Sequence, residues 1–423
     1  MLRRRSQRSQ TAVRSVEESD KTALSGLRLA HKQTVDGQKP ARSSPIPYNI
    51  TVPTQRRERA TEGLIMGCAI AEALSLARTG IHPRVGLKLF GRNPLQFQFH
   101  PGLGVTSHRT HALLMTFQSM LQSKADPNIF AKNIKSRIAW YQRAFPFRHT
   151  YIHIRRLLDR FSQTQFNDSM TFGLADDPFV RSLVMSIMLQ GCVESATTWY
   201  QVGVGISHAD SRVLHASVLV GYAAQLAQMT EHQTLVSSEI LRRLIAVIDE
   251  PELKSMLLEA KDALDQNKTV AAFAKQQGWE NGIPSDIFAS SIMGIYGWLR
   301  HPKRFRNCVE RIILLGGACS SAAVVAGSLS GISLGKKGIP PEWLHGFTLY
   351  PHSSQWREQL IERVKDWPHG VDDIHETLAM PSSYLGQIAR NVLFSSFRMI
   401  HGLIRFPIRL AQFSVLKRRP SGW

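Results

Sequence analysis

Ser107, His108, Arg109 and Thr110 place two hydroxyls, an imidazole and a guanidinium on four consecutive positions. An apolar run with Leu113, Leu114, Phe117 and Leu121 at helical spacing follows them directly. Far along the chain, Gly316-Gly317 opens a second small-residue run that carries Cys319, Ser320 and Ser321. Three chemistries are open to these residues. His100, His108, His111 and Cys319 are the soft donors that zinc takes, against the simpler reading of His108 and His111 as polar residues at a helix start. The Arg109 guanidinium suits a phosphate or another anion, or else pairs with an acid such as Glu72. Ser107 or Ser320 as a nucleophile lacks a general base identifiable from spacing, although His108 is near. Glu72 by itself reads as a helix-surface or ion-paired acid, Arg181 as structural, and Asp210 as the cap of the helix that follows it.

The elements that must position these groups read as helices. Gly63 to Leu74 is apolar nearly all round, the mark of a buried helix. Helical periodicity recurs over 110–121, 133–145, 179–189, 211–229, 240–265, 287–299 and 304–315, and convincing alternating strands are absent. The segment Ile312–Gly335 has the length of a membrane span and no charge from Ile312 to Leu334. Its Gly327, Gly331 and Gly335 share one helix face, which permits close helix approach in a membrane or in a buried bundle.

Composition sets the frame. The 423 residues are 43% hydrophobic and 20% charged, which excludes wholesale disorder and allows two or three domains or one large helical one. Lys+Arg 52 against Asp+Glu 32 gives a formal +20. Residues 1–59 hold 13 basic and 5 acidic side chains, and residues 377–423 hold 7 basic and no acidic ones, so the basicity belongs to the ends. Cys68, Cys192, Cys308 and Cys319 form no CxxC pair and no dense framework, which points to a reducing, cytoplasmic compartment. No apolar stretch follows Arg3–Arg5, so the start does not read as a secretory signal, and Glu17, Glu18 and Asp20 interrupt a transit-peptide pattern.

Three separated segments resemble the ADP-ribosylglycohydrolase family. Gly63-Leu-Ile-Met-Gly67-Cys-Ala-Ile-Ala71-Glu72-Ala-Leu-Ser75 is similar to the family's Gly-x-x-x-Gly-x-Ala-x-Gly-Asp-Ala-x-Gly. Ser107-His108-Arg109-Thr110 stands where the family has Thr-Asp-Asp-Thr. Gly316-Gly317-Ala318-Cys319-Ser320-Ser321, its small-residue helix and Ile339-Pro340-Pro341-Glu342-Trp343 stand where the family has Gly-Gly-Asp-Thr-Asp-Thr and then Ile-Pro-x-x-Trp. Ser207-His208-Ala209-Asp210-Ser-Arg, Phe179-Val180-Arg181 and Leu299-Arg300-His301-Pro302 add weaker likenesses in the same order, over about 60–350. The resemblance implies an all-α, orthogonal helical bundle, a hydrolase of ADP-ribosylated substrates and a pair of Mg²⁺ or Mn²⁺ ions. It also makes Ile312–Gly335 a buried helix of that bundle.

The departures bear on function. The four matched carboxylate positions hold His108, Arg109, Ala318 and Ser320, and Asp176-Asp177-Pro178 replaces the family's Gly-rich ADP-ribose loop. Hard dications need several oxygen ligands, chiefly carboxylates, and a guanidinium among them opposes the metal electrostatically. The expectation is a pseudoenzyme without metal cofactors, kept as an ADP-ribose- or anion-binding protein or as a scaffold. Its candidate ligand cleft comprises Glu72, Ser107, His108, Arg109, Thr110, Asp177, Arg181, Gly316, Gly317, Cys319, Ser320 and Ser321. ADP-ribose or another anionic small molecule is its expected ligand. An active glycohydrolase with an altered site is one alternative. Another is an adaptor, peripheral to an anionic membrane or bound to nucleic acid, working through residues 1–59 and 382–423. The expected divisions are a disordered basic leader (1–59), a helical domain (60–350) and a C-terminal helical extension (351–423), basic and amphipathic from about 382. In that tail Leu385, Ile388, Val392 and Met399 recur at near-helical spacing, as do Leu393, Phe397, Ile400 and Ile404. Arg398, His401 and Arg405 fall on another face, and Pro407 is expected to kink or end the helix.

Overall fold

The computed structural model describes residues 54–92, 94–100, 102–144, 178–189, 193–229, 236–367, 380 and 382–417. The segment before 54, Asp176, Asp177, Cys192 and Arg418-Arg419 lie outside the described residues. Within them the protein is all-α, with no strand and only three isolated bridges. The helices are α1 (Thr54–Ser75), α2 (Pro83–Phe90), α3 (His108–Leu121), α4 (Pro127–Arg143), α5 (Pro178–Met188), α6 (Val193–Gly205), α7 (Ser211–Met229) and α8 (Ser237–Val247). They continue with α9 (Pro251–Asp265), α10 (Val270–Gln276), α11 (Ile287–Arg300), α12 (Phe305–Ile313), α13 (Cys319–Leu334), α14 (Pro341–His345), α15 (Ser354–Asp366) and α16 (Tyr384–Lys417).

The centre of the bundle is α1 packed on α13, both enclosed almost entirely. The sequence of each explains why they meet so closely. Gly63 and Gly67 face Gly331 and Gly327, and a Cβ on any of the four would run into the opposite backbone or, for Gly327, the Ala71 methyl as well. Small residues at four-residue spacing on both partners let two backbones touch, which turns the apparent membrane-span pattern into a buried helix pair. No helix among the described residues is long and apolar enough to cross a membrane. Helices α11, α12 and α7 cover α13, while α3 and α15 lie against α1.

Three expectations are corrected. Residues 54–59, expected as the end of a disordered leader, belong to α1, and Arg56 bonds the Gln228 carbonyl of α7. The stretch 240–265 is two helices, because Pro251 cannot continue α8 but suits the first turn of α9, where the Glu250 side chain caps Leu253 N–H. Pro407 does not end α16, which runs on to Lys417. A proline removes one backbone hydrogen bond, and helical turns on both sides of it can carry that loss.

Helix α16 folds back on the body through its polar face. Arg390 donates to the carbonyls of Thr106 and Ser107 and to the Tyr141 hydroxyl, at 3.0 Å to both Ser107 and Tyr141. Asn391 donates to the Ala144 carbonyl at 2.9 Å, and the His401 ring stacks on Phe99 at 4.7 Å. Gln387, Arg390, Asn391 and Phe394 are buried, whereas Leu385, Leu393, Met399, Ile400 and Leu403 are exposed. The apolar stripe that the sequence offers for burial is thus the solvent face.

Beneath α16, burial and the nearby Arg390 charge hold His111 and His352 below the ordinary histidine range, His352 at about 4. His352 and His108 add to the effect on His111, and His352 stacks on Trp356 at 4.0 Å. The unfolded chain takes up these protons near pH 6.5, before the native state does. Stability is therefore full above pH 6.5 and falls as the pH drops from there toward 4, by up to about 1.4 kcal/mol per unit for each group. Urea midpoints are expected to hold between pH 8 and 7 and decline below 6.5, with His352→Gln partly flattening that decline.

Candidate functional site

The site is assembled where three helix ends converge: the C-terminal part of α1 and the N-termini of α3 and α13. Glu72 projects from α1 and is completely buried, which corrects its reading as a surface acid. Its Oε1 accepts from the Ser107 hydroxyl and from Arg109 N–H at 3.1 Å. Its Oε2 accepts from Thr110 N–H at 3.1 Å and the Thr110 hydroxyl at 2.6 Å. Those four donors use the four lone-pair sites of a carboxylate. Helix α3 has no acid in its first turn, and Ser107, at its N-cap position, makes no side-chain cap of its own. Glu72 supplies the cap from another helix, so its charge sits against the positive end of α3.

Arg109 leaves the start of α3 and crosses to α13. Its Nη1 donates to Ser320 Oγ and its Nη2 to Ser321 Oγ, both at 2.9 Å. Ser320 also accepts from the Ser75 hydroxyl at 2.9 Å, joining α1, α3 and α13 in one chain of polar contacts. The α13 N-terminus has no acid in its first turn, and Ala318 at the cap position makes no side-chain cap bond. Ser107, Thr110, Cys319 and Ser320 are buried, while His108, Arg109 and Ser321 are half-buried and form the accessible rim.

Gly316 and Gly317 set the entry to α13. Both take left-handed φ, +65° and +63°, and thread between two loops. Gly317 N–H donates to the Ile81 carbonyl at 2.9 Å, and Ala318 N–H to the Ile283 carbonyl at 2.7 Å. A Cβ at Gly316 would meet the Ile81 carbonyl, and one at Gly317 the Ile283 carbonyl, so both positions require glycine twice over.

The remaining candidates divide. The Cys319 thiol lies 3.8 Å from Thr79 Oγ1, and burial pushes it up to about 11, with Arg78 and Arg109 acting in the other direction. It is a neutral thiol at pH 7. Cys68, Cys308 and Cys319 are buried, and no disulfide joins them to one another. Among the described residues no three His, Cys, Asp or Glu side chains gather as a metal would need, and the soft-donor set His100, His108, His111 and Cys319 is dispersed. His100 instead meets the Phe397 ring edge-on, and His111 lies beside Tyr141 and His352. Arg181 donates to Ser207 Oγ, which lies 2.8 Å from His208 Nδ1. Asp210 caps α7 through Arg212 N–H at 2.8 Å, and Arg212 forks to Glu252 and Asp286 over the Phe288 ring. Asp177 lies outside the described residues.

Sequence reasoning did not single out Arg390, which locks the two carbonyls just ahead of α3. The available signal was Gln387, Arg390 and Asn391, three polar residues at three- and one-residue steps inside a helix otherwise rich in apolar side chains. Ser107 gains in space the acid partner that spacing did not reveal, but its hydroxyl is sealed with Glu72 away from solvent.

Comparison with known proteins matches this arrangement to a family. No curated protein matches the chain in sequence. Among solved structures, an ADP-ribosylglycohydrolase-related protein complex is 16% identical with a TM-score of 0.48, over 74% of this chain and 97% of that one. The family model for ADP-ribosylglycohydrolase matches residues 53–372. That span takes in α1, the α3 start and the Gly-Gly entry to α13, and the chain belongs to the ADP-ribosylglycohydrolase family.

Proposed function

We propose that this member of the family does not hydrolyse its ligand but binds ADP-ribose, or a chemically related phosphate-bearing molecule, without metal. The observation that carries this reading is the Arg109 guanidinium held between Ser320 and Ser321 at the head of α13. A permanent cation there adds to the positive end of a helix whose cap position carries no side-chain acceptor. Two serine hydroxyls orient the guanidinium at the head of the helix. Phosphate oxygens answer such a field with charge-assisted hydrogen bonds.

The donor set supports the absence of a metal pair. Hard dications seek carboxylates, and here Glu72 has its lone pairs filled, Ala318 offers no side-chain oxygen, and Cys319 holds its proton. These residues do not fit two Mg²⁺ or Mn²⁺ ions, and no step of a hydrolysis is derived from them.

Calorimetry of the full chain against ADP-ribose, with Mg²⁺ and again with EDTA, tests the reading. Equal binding in both is expected, with Arg109→Ala weakening it about tenfold to a hundredfold, since a hydrogen bond to a charged group contributes roughly 1.5–3 kcal/mol. Binding that requires Mg²⁺, or release of ADP-ribose from a modified protein, overturns it. So does the absence of binding in both buffers.

A further inference from the structure

We propose that α16 seats the protein on an anionic lipid surface, lying in the interface with its outward apolar stripe among the acyl chains. Half of the large apolar side chains exposed among the described residues are on this one helix: Tyr384, Leu385, Leu393, Met399, Ile400 and Leu403. Leu385 is 77% exposed and Leu403 70%. At 100° per residue these two point the same way, and Leu393, Met399 and Ile400 flank that direction, so they form a single stripe. Scattered surface leucines need no explanation, whereas a continuous stripe on a long helix does. The sequence carries the three- and four-residue spacing onward from Leu403 through Phe406, Leu410 and Phe413.

The stripe is not a core face that failed to dock. The opposite face is already fastened to the body by Arg390, Asn391 and His401. The helix has 34 residues, about 50 Å at 1.5 Å per residue, and its stretch from Tyr384 to Leu403 presents an apolar ridge outward.

Charge selects the occupant. Besides Arg390, which is buried against the body, the helix carries Arg398, Arg405, Arg409 and Lys417 and no acid, and Arg418-Arg419 follow directly. A second copy of the same helix would bring like charges together along its length. An anionic bilayer surface satisfies both features at once, apolar burial and attraction of Lys and Arg, and this is the signature of a helix that lies on a membrane. The proposal is independent of what the cleft binds, because the stripe and the cleft share no residue.

Co-sedimentation of the full chain with vesicles of phosphatidylcholine alone, and of phosphatidylcholine with 30% phosphatidylserine, tests it. Binding to the anionic vesicles at least tenfold tighter than to the neutral ones is expected, weakening with added salt. Leu393→Ser combined with Leu403→Ser should reduce anionic-vesicle binding at least tenfold with an unchanged urea midpoint, because both side chains are already in water. Wild-type binding by that variant would assign lipid contact to the N-terminal basic segment and overturn the proposal. Absent binding, equal binding to both vesicle types, or a wild-type dimer that the variant converts to monomer would also overturn it.

Discussion

Glu72→Ala is expected to lower the unfolding free energy by about 3–5 kcal/mol, and Glu72→Gln by about half as much. The alanine leaves four inward donors without an acceptor: two backbone N–H groups at the head of α3 and the hydroxyls of Ser107 and Thr110. It also removes the carboxylate that faces the first turn of α3, a turn with no acid of its own. The hydroxyls can rotate toward other acceptors, but backbone N–H groups cannot, and each orphaned buried donor costs roughly 1–3 kcal/mol. The glutamine is the sharper test. Either orientation of its amide presents N–H to one hydroxyl and one backbone N–H, and only the hydroxyl can turn to accept. One orphan results, hence the smaller loss. Urea denaturation with the slope checked for constancy reads both values. An unperturbed midpoint for Glu72→Gln would mean that the carboxylate is not serving as the cap of α3.

Gly331→Ala is expected to cost about 3 kcal/mol or more, at or beyond the upper end of a usual core overpacking of roughly 1–3 kcal/mol. Its Cβ would strike the Gly63 carbonyl, and backbone cannot change rotamer to make room. The only relief is to part α1 from α13, the innermost pair of the bundle. Parting them also draws Ser75 away from Ser320, so the loss of stability should come with weaker ligand binding at Arg109. Gly402→Ala in α16 is the control. Nothing lies within 4 Å of a Cβ there, and alanine in a helix interior is favoured over glycine by about 1 kcal/mol. Equal losses at the two positions would refute the close-packing account.

Much of the fold was legible in the residues. Apolar periodicity located the core helices because burial of one face requires a 3.6-residue repeat whatever the partner is. The boundaries that went astray were set by proline context. Pro251 starts a helix where periodicity saw none end, and Pro407 is absorbed in a long one. The amphipathic pattern of α16 was equally visible, but which face turns inward was not. That depends on Thr106, Ser107, Tyr141 and Ala144 offering polar partners to Arg390 and Asn391.

By itself the sequence determined the all-α class and the family, and it put His108, Arg109, Ala318 and Ser320 in the segments that, by the resemblance, carry carboxylates in the family. Those are properties of residue type and order, which the chain carries before it folds. Only the tertiary structure decided what the substitutes do. It filled Glu72 with four donors, brought Arg109 from one helix start to another across more than two hundred residues of chain, and set Arg181 against Ser207. Spacing along a chain limits which groups can meet. Which of them do meet is set by the close contact of four glycines on α1 and α13, because that contact fixes where the two helices place Glu72 and Ser320.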